Sequence, residues 1–271
     1  QKSHRGQQIN KSPIQGISET LNIDYRTPTT FKDNHEEYEF LKELNADLSV
    51  VCAFGQIIPK NFLNLTKKGF VNIHASILPS WRGAAPIQRS IMNLDSETGI
   101  SIMKINEELD SGPISNIYKI KIDENENAQE ISEKLSTLAA EKILDNVSDI
   151  LEDRAKFIDQ DHSKATYAKK IQKIEGKIDW NENAEKIIGK INGLYPYPGA
   201  FFSFNGERYK ILKAEKSSTT GKPGDIVSEN FEVCCGKGSI KVLTIQREGK
   251  RVQKINEFLL GTQIKKGSNI V

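Results

Sequence analysis

Four apolar runs, LSVVCAF (48–54), FVNIHA (70–75), ISIMKI (100–105) and SNIYKIKI (115–122), recur through the first half of the chain with helical text between them. Each has strand length, and the text between repeats at helical spacing: HEEYEFLKELN (35–45), then Ile87, Ile91 and Leu94 behind Pro86, then Ile131, Leu135, Leu138, Val147 and Leu151. Pro86 suits a first helical turn, and Asn127 with Glu130 three residues later has capping-box spacing. Strands alternating with helices predict an α/β fold with a Rossmann-like, mostly parallel sheet. From Gly199 the pattern changes to short strands, AFFSF, RYKILKA, GDIV, FEVCC and SIKVLTI, separated by Gly, Pro, Asn and Lys, which predicts a small antiparallel, OB-like β-barrel. A helix carrying Ala184, Ile187, Ile188 and Ile191 on one stripe precedes it, with Asn181 as its expected cap and Gly193 at its end. Residues 153–172, DRAKFIDQDHSKATYAKKIQ, are polar and weakly periodic. The expected division is therefore a domain over 1–153, a linker over 154–172 and a β-barrel domain over 173–271.

Net charge is +2, yet residues 173–271 hold 17 Lys and Arg against 11 Asp and Glu, a net of +6 that the first part offsets. Such segregation fits either a second domain that meets a polyanion or a lysine-rich surface that keeps a small domain dissolved. No apolar run approaches the roughly 18 residues of a membrane span, and the first residues, QKSHRGQQINK, carry no apolar signal core. Three cysteines, two of them adjacent at 234 and 235, give neither a disulfide framework nor metal-ligand spacing, so a reducing, cytoplasmic setting is expected.

The run VNIHASILPSWRGAAP (71–86) begins as a buried strand and then breaks. Alternation puts Asn72 and His74 on one side, with Val71, Ile73 and Ala75 on the other. Ligands of open α/β sheets bind outside the carboxyl ends of strands, where this pair would lie. ELDSGP (108–113) follows ISIMKI, and if that strand is the parallel neighbour, Asp110 joins Asn72 and His74 at one edge. An asparagine amide can donate to an oxyanion, a histidine can donate or move a proton, and a carboxylate can orient the imidazole. With no serine or cysteine at nucleophile geometry, the set suits direct acyl transfer to an incoming nucleophile. On the residues alone a hydrogen-bonded structural pair remains the alternative. One histidine and a distant aspartate lack the ligand density of a metal site, and no GxG-type loop supports a dinucleotide.

VNIHASILPSWRGAAPIQRSI together with GISIMKINEELDSGPI closely resembles the folate-dependent formyltransferases. FGQIIPK (54–60), KIDWNENAEKI (177–187), YPYPGAFF (195–202) and GSIKVLTIQREGKRVQKINEFLLG (238–261) resemble family text in family order. WRGAAPIQ and the C-terminal portion point to the branch acting on aminoacylated tRNA. The resemblance implies 10-formyltetrahydrofolate as donor, initiator methionyl-tRNA as acceptor, no metal and a monomer. It implies Asn72, His74 and Asp110 as the catalytic set. The folate site would comprise Ser76, Ile77, Leu78 and Pro79, with isoleucine where leucine is common, and Phe54, Gly55, Gln56, Ile57 and Ile58 around the pterin. Lys2, Arg5, Lys11 and Arg82 would face tRNA, Arg5 lying in RGQQINKSP, which resembles a basic loop that enters the acceptor stem.

The family has a strand, a helix and a second strand ahead of that loop, whereas this sequence opens at Gln1 inside it. The expectation is an N-terminally truncated chain in which LSVVCAF lacks its neighbours on the side toward an edge strand near Ile23–Arg26. On that expectation residues 1–271 alone would be unstable and nearly inactive. Two other functions stay open: a sugar-amine N-formyltransferase using the same donor, and an inactive RNA-binding remnant.

Overall fold

The computed structural model describes residues 2–3, 8–9 and 11–271. A two-stranded ribbon, β1 (Lys2–Ser3) with β2 (Gln8–Ile9), precedes helices α1 (Pro13–Thr20) and α2 (His35–Glu43). Strand β3 (Ser49–Cys52), the short helix α3 (Lys60–Leu63) and β4 (Phe70–His74) come next, then β5 (Arg82–Gly83), α4 (Pro86–Met92), β6 (Glu97–Lys104), β7 (Ile114–Lys121) and the long helix α5 (Ala128–Leu151). The expected capping box starts α5, the Asn127 side chain accepting from the amides of Gln129 and Glu130.

The first sheet has the order β3-β4-β6-β7. Its α/β character agrees with the sequence, but the strand directions correct one expectation: only β3 and β4 are parallel, while β6 runs antiparallel to β4 and β7 antiparallel to β6. The cause lies in the connection. Helix α4 has seven residues and spans only about 10 Å, too short to carry the chain back along the sheet, so β6 starts at the end where β4 finished. Ser101 therefore lies opposite His74, and Lys104 opposite Val71. Residues 23–26, expected as an edge strand, form no ladder among the described strands. Arg26 instead turns to α2, its Nε donating to both carboxylate oxygens of Glu37 at 2.9 Å. Helix α5 covers one sheet face, packing Ile131, Leu135 and Ile150 against the side of β4 and β6 that carries Val71, Ile73, Ala75, Ile100 and Ile102. Burial of that face leaves Asn72 and His74 facing away from α5.

Beyond α5, β8 (Tyr167–Ala168) returns to pair in parallel with β5. Helix α6 (Ala184–Gly193) leads into β9 (Ala200–Phe204), β10 (Glu207–Ser217), β11 (Glu232–Cys234), β12 (Ser239–Arg247), β13 (Gln253–Lys254) and α7 (Ile255–Leu259). These strands form the expected antiparallel C-terminal sheet, ordered β11-β12-β10-β9 with β13 beside β12. Its core gathers Trp180, Ile187, Ile191, Phe202, Tyr209, Ile211, Phe231 and Ile245. The cap of α6 is Asn183 rather than Asn181: the Asn183 side chain accepts from Lys186 N at 2.8 Å, while Asn181 bonds back to Asp179 in the preceding turn.

Helix α6 also joins the two halves. A Cβ at Gly189 would stand 2.7 Å from Leu94 Cδ2, and one at Gly193 would stand 2.6 Å from Met92 Cγ, so the small residues let α4 and α6 approach closely. Arg89 on α4 adds a bond from Nη1 to Glu175 Oε2 at 2.6 Å.

Candidate active site

Strand β4 delivers His74 as its last residue, and groups from two separate loops hold its ring on either side. Nε2 lies 2.9 Å from the carbonyl oxygen of Trp81, which can only accept, so Nε2 carries a hydrogen and donates it. Nδ1 faces Asp110 Oδ2 at 3.6 Å, an ion-pair distance somewhat beyond a direct hydrogen bond. The same Asp110 oxygen accepts from Gly83 N at 2.8 Å. His74 is buried and Asp110 nearly so. Asn72 is half-buried two residues earlier on the same strand.

Asp110 reaches this place although β6 runs the other way. The loop 105–113 leaves β6 at the far end and folds back, tied internally by Ser111 Oγ donating to Asn106 Oδ1 at 3.0 Å. Asp110 sits in the left-handed region, φ 46°, a strained conformation for a residue with a side chain. Gly112 lies so close to Lys104 that a Cβ would fall 2.9 Å from its carbonyl carbon and nearer still to its oxygen. Only glycine fits there.

The SILP turn is built from inside. Ser101 on β6 donates from Oγ to Ser76 O at 2.7 Å and accepts from Leu78 N at 3.1 Å, and Ser76 Oγ donates to Ser80 O at 2.6 Å. Ser76 and Leu78 are accordingly buried side chains that shape the loop, while Ile77 and Pro79 are partly exposed. The second stretch expected at the folate, Phe54 to Ile58, lies just past the carboxyl end of β3. Ile57 there is 86% exposed, and Phe54 meets Phe31 edge to face with ring centroids 5.3 Å apart.

Two residues that sequence reasoning missed complete the site. Gln160 and Thr166 lie in the polar segment read as a linker, and both bond to the loops around His74. Thr166 Oγ1 accepts from Trp81 N at 2.9 Å, and Gln160 Nε2 donates to the backbone carbonyls of Asp110 and Gly112. A polar residue without periodic partners gives no sequence signal of such contacts.

The model of the family described as "Formyl transferase" matches residues 3–147, and that described as "Formyl transferase, C-terminal domain" matches residues 170–263. The chain belongs to the formyl transferase family. The methionyl-tRNA formyltransferase of Pelagibacter ubique (strain HTCC1062) is 64% identical over 270 residues, 99% of this chain and 87% of the relative. Among solved structures, the methionyl-tRNA formyltransferase from Clostridium thermocellum superposes with a TM-score of 0.56 at 25% identity, over 70% of this chain and 81% of that one. WlaRD, a sugar 3N-formyl transferase crystallised with dTDP and 5-N-formyl-THF, gives a TM-score of 0.66 at 20% identity, over 89% and 83%. That last likeness speaks for the fold alone.

In this formyl transferase the cations expected to meet a polyanion divide. Arg5 lies outside the described residues, and Lys2 falls in β1. Lys11 is exposed and pairs with Glu19 at 2.6 Å. Arg82 corrects the expectation of a tRNA contact: it is 3% exposed, with Nε and Nη2 donating to Gln160 Oε1 at 3.1 and 2.7 Å. A guanidinium turned inward in this way braces the loop and presents no charge to a phosphate. The C-terminal domain has its own concentration of charge on β10, where burial holds the Lys210 amine below the ordinary lysine value and the neighbouring Arg208 and Lys173 push it the same way. Arg208 stacks on Phe201, its guanidinium carbon 3.4 Å from the ring centroid.

Proposed function

We propose that this chain transfers the formyl group of 10-formyltetrahydrofolate to the α-amino group of methionine carried by initiator tRNA, giving formylmethionyl-tRNA for translation initiation. The observation that carries the reading is the 64% identity with a methionyl-tRNA formyltransferase across 99% of the chain. The grouping of His74 and Asp110 agrees with it. The reaction joins the amine nitrogen to the formyl carbon and breaks the bond from that carbon to N10 of the folate. One proton leaves the amine and one reaches N10. An aminoacyl amine has a reference pKa of about 7.7 to 8, so it needs positioning more than activation.

Asn72 donates to the formyl oxygen as negative charge grows there, and His74, its Nε2 held by the Trp81 carbonyl, presents Nδ1 to Asp110 beside the reacting groups. Asp110 orients the imidazole and takes part in removing the amine proton. The exposed apolar loop Phe54–Ile58 and the SILP turn suit a flat, partly apolar pterin, with specificity supplied by backbone groups of the turn. In this reading the Lys210, Arg208 and Lys173 face of the C-terminal domain contacts tRNA phosphates, and the protein acts as a cytoplasmic monomer. No helix among the described residues is long and apolar enough to cross a membrane.

The experiment is a formyl-transfer assay on the full-length protein with 10-formyltetrahydrofolate, run against charged initiator tRNA and against a dTDP-linked amino sugar. Formylation of the methionyl-tRNA alone is expected. Transfer to the sugar amine with none to tRNA would replace this reading by a sugar N-formyltransferase.

A further inference from the structure

We infer that Gln160, in the segment between the domains, is a positioning residue for Asp110 and ties the geometry of the catalytic carboxylate to that segment. The inference rests on the function proposed above. Gln160 is 6% exposed, and its amide uses every hydrogen-bonding position it has. Nε2 donates to Asp110 O at 3.0 Å and to Gly112 O at 2.7 Å, while Oε1 accepts from Arg82 Nε at 3.1 Å and Nη2 at 2.7 Å. The orientation is fixed by chemistry, because carbonyls only accept and a guanidinium only donates.

These bonds fall where the loop needs them. Asp110 is in the left-handed region, a conformation that persists only when its surroundings impose it. Gln160 grips the carbonyl of that residue and of the one two further on. The base of the same loop is closed by Ile158, which pairs with Ile114 through bonds of 2.8 and 2.9 Å. Arg82 completes the circuit: it holds Gln160 through its side chain, and the next backbone amide, Gly83 N, donates to the Asp110 carboxylate at 2.8 Å. One interdomain glutamine thus fixes the backbone of Asp110, and its guanidinium partner precedes the amide that fixes the side chain.

Two variants test this. Gln160→Glu keeps an acceptor for Arg82 but loses the donors to the loop, and Gln160→Met, of similar volume, loses both. Rates are read well below the Tm of either variant. Expected is a loss of kcat of about 10- to 100-fold in both, with KM for tRNA and folate within about twofold of wild type, because a misplaced group costs turnover rather than binding. Amide exchange at Gly83 should accelerate in both, while the β4–β6 ladder around His74 keeps its protection. Wild-type kcat in either variant, a rise in KM without a fall in kcat, or unchanged protection at Gly83 would overturn the inference. Failure of the functional reading is separate: it shows as absence of transfer by the wild-type protein, in which case the exchange at Gly83 still decides whether Gln160 holds the loop.

Discussion

Replacing Gly112 by alanine should separate the fold of this protein from its chemistry. A Cβ at 112 would meet the Lys104 carbonyl group, 2.9 Å from its carbon and closer to its oxygen, and Lys104 belongs to β6, where it is paired with Val71 of β4. The loop 105–113 must therefore give way by ~1 Å before the contact becomes tolerable. Overpacking of this kind costs about 1–3 kcal/mol. Such a loss lowers Tm but leaves a cooperative domain. Asp110 lies two residues away and faces His74 at 3.6 Å, so the same shift opens the pair and strains its bond with Gly83. A displacement of this size at a reacting group costs roughly 100-fold in rate. The assay is steady-state formyl transfer at saturating methionyl-tRNA, with Tm from circular dichroism on the same preparation. Gly112→Ala should lose kcat steeply with little change in KM for tRNA. A variant with near wild-type kcat would refute the claim that the packing of this loop sets the carboxylate.

His74→Ala and Asp110→Asn should each reduce kcat by about 100-fold or more, the usual scale for lost oxyanion or proton-transfer help, while tRNA affinity measured by filter binding stays close to wild type. Lys210→Gln should weaken tRNA binding and flatten the slope of log Kd against log salt by about one charge, since the crowded Lys210, Arg208 and Lys173 face would then neutralise one phosphate fewer. An unchanged slope would move tRNA binding elsewhere. The Arg89 guanidinium bonded to Glu175 holds that carboxyl below its ordinary 4.5, and burial only partly opposes it. A lowered acid value stabilises the fold above pH 4.5 and ceases to do so as pH falls through the folded value. Thermal melts should therefore find Glu175→Gln less stable than wild type by about 1 kcal/mol at pH 7, with the gap closing toward pH 3.

What could be read from the sequence was whatever local physics decides. Asn127 and Glu130 announce the start of α5 because a capping box satisfies amides within four residues, and the stripe with Ile131 and Leu135 finds its sheet. Asn183 displaced Asn181 as a cap because two asparagines precede the same stripe and only the helical register chooses between them. The direction of β6 was not legible, since parallel and antiparallel neighbours have the same apolar text and the length of α4 makes the choice. Arg82 illustrates the same limit at the site. Its type suggests an outward charge, and it turns inward because Gln160, 78 residues later, supplies two lone pairs that no local pattern advertises.

The close seating of α6 on α4 has a consequence for which substrates can be served. Pro86, the first residue of α4, comes three positions after Gly83, so the helix that carries the C-terminal domain is an extension of the loop that holds Asp110. Gly189 and Gly193 leave no slack between the two helices. If tRNA phosphates are held on β10 as proposed, the polynucleotide is measured against a fixed gauge, and its amine meets the formyl carbon only when the span from grip to free end equals the span built into the protein. Selection by reach would act before any base is read, and it would exclude free methionine, which has an amine but nothing to anchor it at the other end of the gauge.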